Sequence, residues 1–221
     1  MSYSRIVSSL WLLVWKDYLV DVRSKSVLAF QALFALSSSI FTGYYASRSV
    51  EPLVALGSGI VVVPLFLAVF SAYASMVREA ERGTIEGLRL LPVGPEVVVL
   101  AKLLYIYALT MLQAEVYFLF SVLFSGYSPP MLWVEAWLAM FVLYISAAAG
   151  FSSAIVAYTG GRALALAVLV IVLTLPMAQV AVPVLSFVMA GGLLSPAQAY
   201  AMMIMPLAFI TIFLILARYI L

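Results

Sequence analysis

Six long apolar stretches, each interrupted by a short polar, glycine or proline interval, dominate the pattern of this chain. They run over about 27–46, 53–76, 103–124, 131–157, 163–188 and 201–219. At ~1.5 Å of rise per residue, each can form a helix that crosses a ~30 Å hydrocarbon layer. Residues 5–23 ahead of them carry a different periodicity. Val7, Leu10, Trp11, Val14, Trp15, Tyr18 and Val22 recur at helical spacing, while Arg5, Lys16 and Asp17 point elsewhere. With tryptophans on one face and cations at its flanks, this segment predicts an amphipathic helix lying on the membrane interface. A plain extension of the first span is the alternative. The predicted fold is an all-α integral membrane protein of six transmembrane helices preceded by that interfacial helix, one transmembrane domain over 1–221.

The polar intervals are unequal. Residues 77–102 hold eight of the twenty charged residues: Arg78, Glu79, Glu81, Arg82, Glu86, Arg89, Glu96 and Lys102. Within them Gly83-Thr84 offers an N-cap, Ile85 to Leu91 suits a short helix, and Pro92 stops it. Gly94-Pro95-Glu96 then opens the next helix, with proline near the first position and a carboxylate at the positive dipole end. A short helix tied to the mouths of two membrane helices can pass movement from a soluble partner into the bilayer; a merely solvated loop is the plain alternative. With the N-terminus inside, Arg5, Lys16, Arg23, Lys25, Arg78, Arg82, Arg89, Lys102, Arg162 and Arg218 fall on the cytoplasmic side, and only Arg48 lies outside. That bias predicts a multi-pass protein of the cell membrane with both termini and the 77–102 loop in the cytoplasm.

Composition narrows the chemistry. Hydrophobic residues make up 67% of the chain and charged ones 9%, so the solvent for most of its surface is lipid. A net charge of +2 gives no reason to expect nucleic acid. There is no cysteine and no histidine, which removes thiolate nucleophiles, the usual general base and the commonest ligands of haem iron and zinc. The sequence contains no Gly-x-x-x-x-Gly-Lys-Ser/Thr run, so ATP-driven work would come from another subunit. The expected complement is no cofactor bound by the chain itself and ATP on a partner. The apolar start, Ile6 to Trp15, lacks a small-residue cleavage site and runs into charged residues, so it is read as retained.

Few polar groups fall inside the spans. Glu115 sits near the middle of the third, where a carboxylate costs a few kcal/mol unless it faces protein or water. It is a candidate for a substrate path, with a hydrogen-bonded structural role as the alternative. Glu135 lies near the outer end of the fourth. Pro176 and Pro183 break the fifth and free the carbonyls of Val172 and Gln179; Pro176, Gln179 and Pro183 therefore join Glu115 as path candidates, although kinks without function are common. Gln31 and Gln179 also suit hydrogen bonds between helices, and Ala147-Ala148-Ala149-Gly150 suits close helix packing. No internal repeat is visible, so a second copy or a partner is expected.

The run Glu79 … Gly83-Thr84-Ile85-Glu86-x-Leu88 … Pro92 … Lys102 resembles the cytoplasmic loop of CcmB, the membrane permease of the ABC-type haem exporter of cytochrome c maturation. Lys16-Asp17 … Arg23 is similar to that family's basic entry to its first span. Gly160-Gly161-Arg162, with the run into Leu175-Pro176 and Pro183-Val184-Leu185-x-Phe187, is similar to its fifth span. Pro176 and Pro183 stand further apart than the family pattern, and Val188 replaces a glycine. The resemblance implies a permease without its own ATPase activity, a homodimer within a larger complex. A cytoplasmic coupling helix at about 84–91 would dock on a separate ATPase subunit through Ile85, Glu86, Leu88 and Arg89, with Arg82 and Thr84 at its entry. It also implies a haem-handling membrane partner and haem as handled ligand. Related permeases for lipid, polysaccharide or drug share the six-span plan. A scaffold that recruits the ATPase and the haem-delivery partner without forming a conduit is the other reading. An intramembrane enzyme has no suitable constellation to support it.

Overall fold

A computed structural model describes residues 3–85, 87, 90–160, 163–192 and 195–220, without the side chains of 3–6, 196, 199, 201, 202 and 216–220. Among these residues the chain is helical throughout, with no strand. Helix α1 covers Tyr3–Ser24 and α2 Ser26–Arg48, separated by Lys25 at φ 38°. Helix α3 runs Pro52–Glu81, α4 Pro95–Ser125, α5 Met131–Tyr158, α6 Ala163–Met189 and α7 Pro196–Ile220. The boundaries follow local chemistry. Prolines occupy the first turn of α3 and α4, where their missing N–H is not needed. Gly126, at φ 70°, closes α4 by returning its N–H to the Val122 carbonyl.

Five helices, α2 to α6, are long and apolar enough among the described residues to cross a membrane; α7 contributes the apolar stretch Met203–Ile215. They are not equally enclosed. In α5, 72% of the most apolar window is buried, against 22% in α2 and 28% in α6. The interior is thus built on α3, α4 and α5, and α2 and α6 leave most of their surface outward. Leu56, Ile60 and Leu67 of α3 meet Ile106, Tyr117 and Phe118 of α4 and Leu138, Phe141 and Ile145 of α5 in one apolar core.

Small residues set the closest approaches, because a membrane offers no hydrophobic drive between helices and packing must supply it. Ser146 to Gly150 of α5 are all buried, and a Cβ on Gly150 would stand 3.0 Å from the ring of Phe213 on α7. At Gly43 of α2 a Cβ would stand 2.6 Å from Phe124 Cβ and 2.7 Å from the Ser121 carbonyl of α4. Phe30 and Phe34 of α2 pack edge-on against Phe66 and Phe70 of α3, with centroids 5.3–6.3 Å apart. Gln113 Nε2 donates to Gln31 Oε1 at 2.7 Å, joining α4 to α2 as the sequence suggested for Gln31.

Candidate functional site

The charged residues that flank the loop are not simply solvated. Near its end α3 widens into a π-helical turn, Tyr73–Val77, in which the Arg78 N–H reaches back five residues to the Tyr73 carbonyl. One extra residue in a turn rotates everything beyond it by roughly 100°. Past that turn Arg78 and Glu79 meet α1 and α4. Asp17 and Asp21 stand four apart on one face of α1, and Lys102 and Tyr105 stand three apart on α4, so each pair shares a face.

Lys102 is the centre of the cluster and only 1% exposed. Its ammonium lies 2.9 Å from Asp17 Oδ2, 2.8 Å from Glu79 Oε2 and 2.9 Å from the Ser75 carbonyl in the π turn. Three acceptors match its three N–H donors, so no polar hydrogen of this buried side chain is left without a partner. Lys16 adds a bond to Glu79 Oε1 at 2.6 Å and lies 3.2 Å from Asp17 Oδ1. Burial works against its charge, but the Asp17 and Glu79 carboxylates outweigh it and hold the Lys16 ammonium above its usual value. Alongside, Arg78 pairs with one carboxylate oxygen of Asp21, and the Tyr105 hydroxyl donates to the other. Asp21 is itself 1% exposed. Three cations and three carboxylates thus join α1, the end of α3 and the start of α4.

Glu79 carries this cluster into the connection. Gly83, at φ 69°, ends α3 with its N–H on the Ala80 carbonyl at 3.0 Å, and the Thr84 N–H reaches the Glu79 carbonyl at 3.0 Å. This pair of bonds is a Schellman closure, which requires the left-handed residue that glycine supplies without a Cβ clash. The Thr84 hydroxyl also donates to the Glu79 carbonyl, at 3.1 Å. Thr84 therefore ties backward to α3, where the sequence suggested a forward N-cap. Its carbonyl accepts the Gly87 N–H at 3.1 Å, which starts the next turn. Ile85 and Gly87 are helical, Ile85 is half-buried, and Arg82, Thr84, Gly87 and Leu90 are exposed. Glu86, Leu88 and Arg89 of the expected coupling set lie outside the described residues. A cavity of about 240 Å³ opens between Lys16 and Asp17 on one side and Arg78, Glu79, Arg82 and Thr84 on the other.

The path candidates are not gathered in one place. Glu115 is half-buried on α4, within electrostatic reach of Glu135 and Tyr107. Pro176, Gln179 and Pro183 are all exposed on α6, whose packing is against α3 and α5. Tyr144 of α5 donates to the Leu173 carbonyl, three residues before Pro176, at 2.8 Å.

The sequence reading gave no site role to Asp17 and did not single out Asp21 or Tyr105. The signal for the aspartates was two carboxylates four apart on one face of α1, away from Trp11, Trp15 and Tyr18, a spacing that suits cationic partners on a neighbouring helix. The two faces of α1 are separated, the aromatic one outward and the acidic one inward. Trp11, Trp15, Tyr18 and Val22 are exposed while Asp17 and Asp21 turn into the protein.

A family model described as ABC-2 type transporter matches residues 8–183. No curated protein matches the chain. The matched region takes in most of α1, the charged cluster, the connection and most of α6. With its long apolar helices, the chain is a multi-pass membrane protein that belongs to the ABC-2 type transporter family, a permease subunit of an ABC transporter whose ATPase motif lies on a separate subunit.

Proposed function

We propose that this chain is the permease of an ATP-driven exporter, acting as a homodimer of six-span copies in the cell membrane with both termini in the cytoplasm. The ATPase subunit docks on the connection between α3 and α4, through Arg82, Thr84 and Ile85 and through Glu86, Leu88 and Arg89 of the same segment. The observation that carries this reading is the linkage at Glu79. Its main-chain carbonyl holds Thr84 at the start of the connection, and its carboxylate holds Lys102 of α4 and Lys16 of α1. A push on the connection is thereby delivered to three helices together. The ten-to-one distribution of cations supports the cytoplasmic placement of that segment.

The resemblance to CcmB makes haem the first cargo to test and a haem-handling membrane protein the expected partner. A chain without histidine would leave haem ligation to that partner. Lipid, polysaccharide and drug are the alternative cargoes. Within one copy Glu115 on α4 and the proline-bearing face of α6 stand apart. That separation favours a second reading, a scaffold that recruits the ATPase and a delivery partner without a conduit. In the homodimer, the uncovered face of α6 with Pro176, Gln179 and Pro183 instead meets the second copy.

Purification of the tagged chain in mild detergent tests the docking claim. Wild type should retain an ATPase subunit, and Glu86→Lys with Arg89→Glu should lose it. A correctly inserted wild type that brings down no ATPase in several mild detergents would overturn the proposal.

A further inference from the structure

We infer that the groove between α1 and α4 is a binding site for one acyl chain of a membrane phospholipid. The groove has a volume of about 300 Å³. Trp11, Trp15 and Tyr18 form one wall and Tyr105, Ala108 and Leu112 the other. The α1 wall is an aromatic ladder, with Trp11 and Trp15 stacked at 6.3 Å and Trp15 and Tyr18 at 5.3 Å. Trp11, Trp15, Tyr18 and Leu112 are exposed, so the groove opens outward. The hydroxyl of Tyr105 is engaged by Asp21, leaving its ring as an apolar floor.

Shape and surroundings favour a lipid chain. From Tyr105 to Leu112 the groove follows two turns of α4, about 10 Å, and it opens outward along that length. A helix with its side chains is ~10–12 Å across and could only lie over the mouth of so small a groove. A single hydrocarbon chain fits within it. The surroundings agree, because a multi-pass protein presents the outer side of its helices to lipid, and tryptophan and tyrosine concentrate at the depth where chains meet headgroups. Occupancy would also bear on the charged cluster. The chain would lie against the Tyr105 ring whose hydroxyl holds Asp21, and Asp21 holds Arg78 at the end of α3.

The test is native mass spectrometry of the full chain, reconstituted in vesicles of palmitoyl-oleoyl phosphatidylglycerol and extracted into mild detergent. Wild type should keep a bound phospholipid. Ala108→Phe, which fills the groove, should weaken retention at least about tenfold, since losing burial of even two or so methylenes has that effect. Tyr105→Phe keeps the ring and should keep the lipid. Leu123→Phe, at an exposed position of α4 outside the groove, should also keep it. Should Ala108→Phe fail to insert, Leu112→Ser weakens the same wall without added bulk and should show the same loss. Equal retention by wild type and the groove variants would overturn the site. So would a photo-crosslinker at position 11 that captures a protein segment in place of lipid. The measurement needs no ATPase subunit, so its failure is separate from failure of the exporter reading.

Discussion

Lys102 is the residue on which most depends, because its charge is buried and its three donors are all used. Removing one partner of a buried ion cluster leaves the others desolvated without compensation, which costs about 3–5 kcal/mol. Lys102→Met should therefore lower the melting temperature in detergent sharply, since Asp17 and Glu79 lose the buried one of their two cations. Lys16 contacts the same two carboxylates, but its side chain is 41% exposed. Its loss should resemble that of an exposed pair, at most ~1 kcal/mol. Equal effects of Lys16→Met and Lys102→Met would mean that burial does not distinguish them.

At the scale of elements, the membrane helices were legible and their mutual faces were not. Length and hydropathy reveal spans directly, and Pro95 marked the start of α4. The orientation of α1 was not legible, because its aromatic ladder and its carboxylates both follow helical spacing. Only the position of Lys102 and Arg78 on neighbouring helices decides which face turns inward. The π turn was equally invisible, since nothing in Tyr-Ala-Ser-Met-Val forbids an ordinary α turn; yet the residues just past it, Arg78 and Glu79, reach α1 and α4. The glycines at crossings give the clearest element-scale test. A methyl group at Gly43 meets Phe124 Cβ and the Ser121 carbonyl, and a carbonyl cannot rotate away as a side-chain tip can. Gly43→Ala should destabilise the α2–α4 pair by about 1–3 kcal/mol, read as a lower melting temperature. An unchanged melt would show that α2 rides more loosely on α4 than this crossing requires.

At the scale of the whole molecule, docking of the ATPase on the connection, as proposed, would bring its work into the bundle at the charged cluster. The sequence placed the polar loop there but could not show that its base is locked to α1 and α4, since the partners lie 63 and 23 residues away from Glu79. In this account docking and coupling are separable: the exposed connection binds the ATPase, and the cluster beneath it transmits the movement. Glu79→Gln separates them, because it keeps the side chain's shape and the Thr84 closure while weakening the contacts to Lys16 and Lys102. Hydrogen bonds to charged groups are worth about 1.5–3 kcal/mol, enough for roughly tenfold or more in a coupled rate. The decisive measurement is ATP turnover by the reconstituted complex of this chain with its ATPase subunit, wild type against Glu79→Gln, alongside the amount of ATPase retained. The account predicts full retention with turnover reduced about tenfold; full turnover, or loss of the ATPase itself, would contradict it.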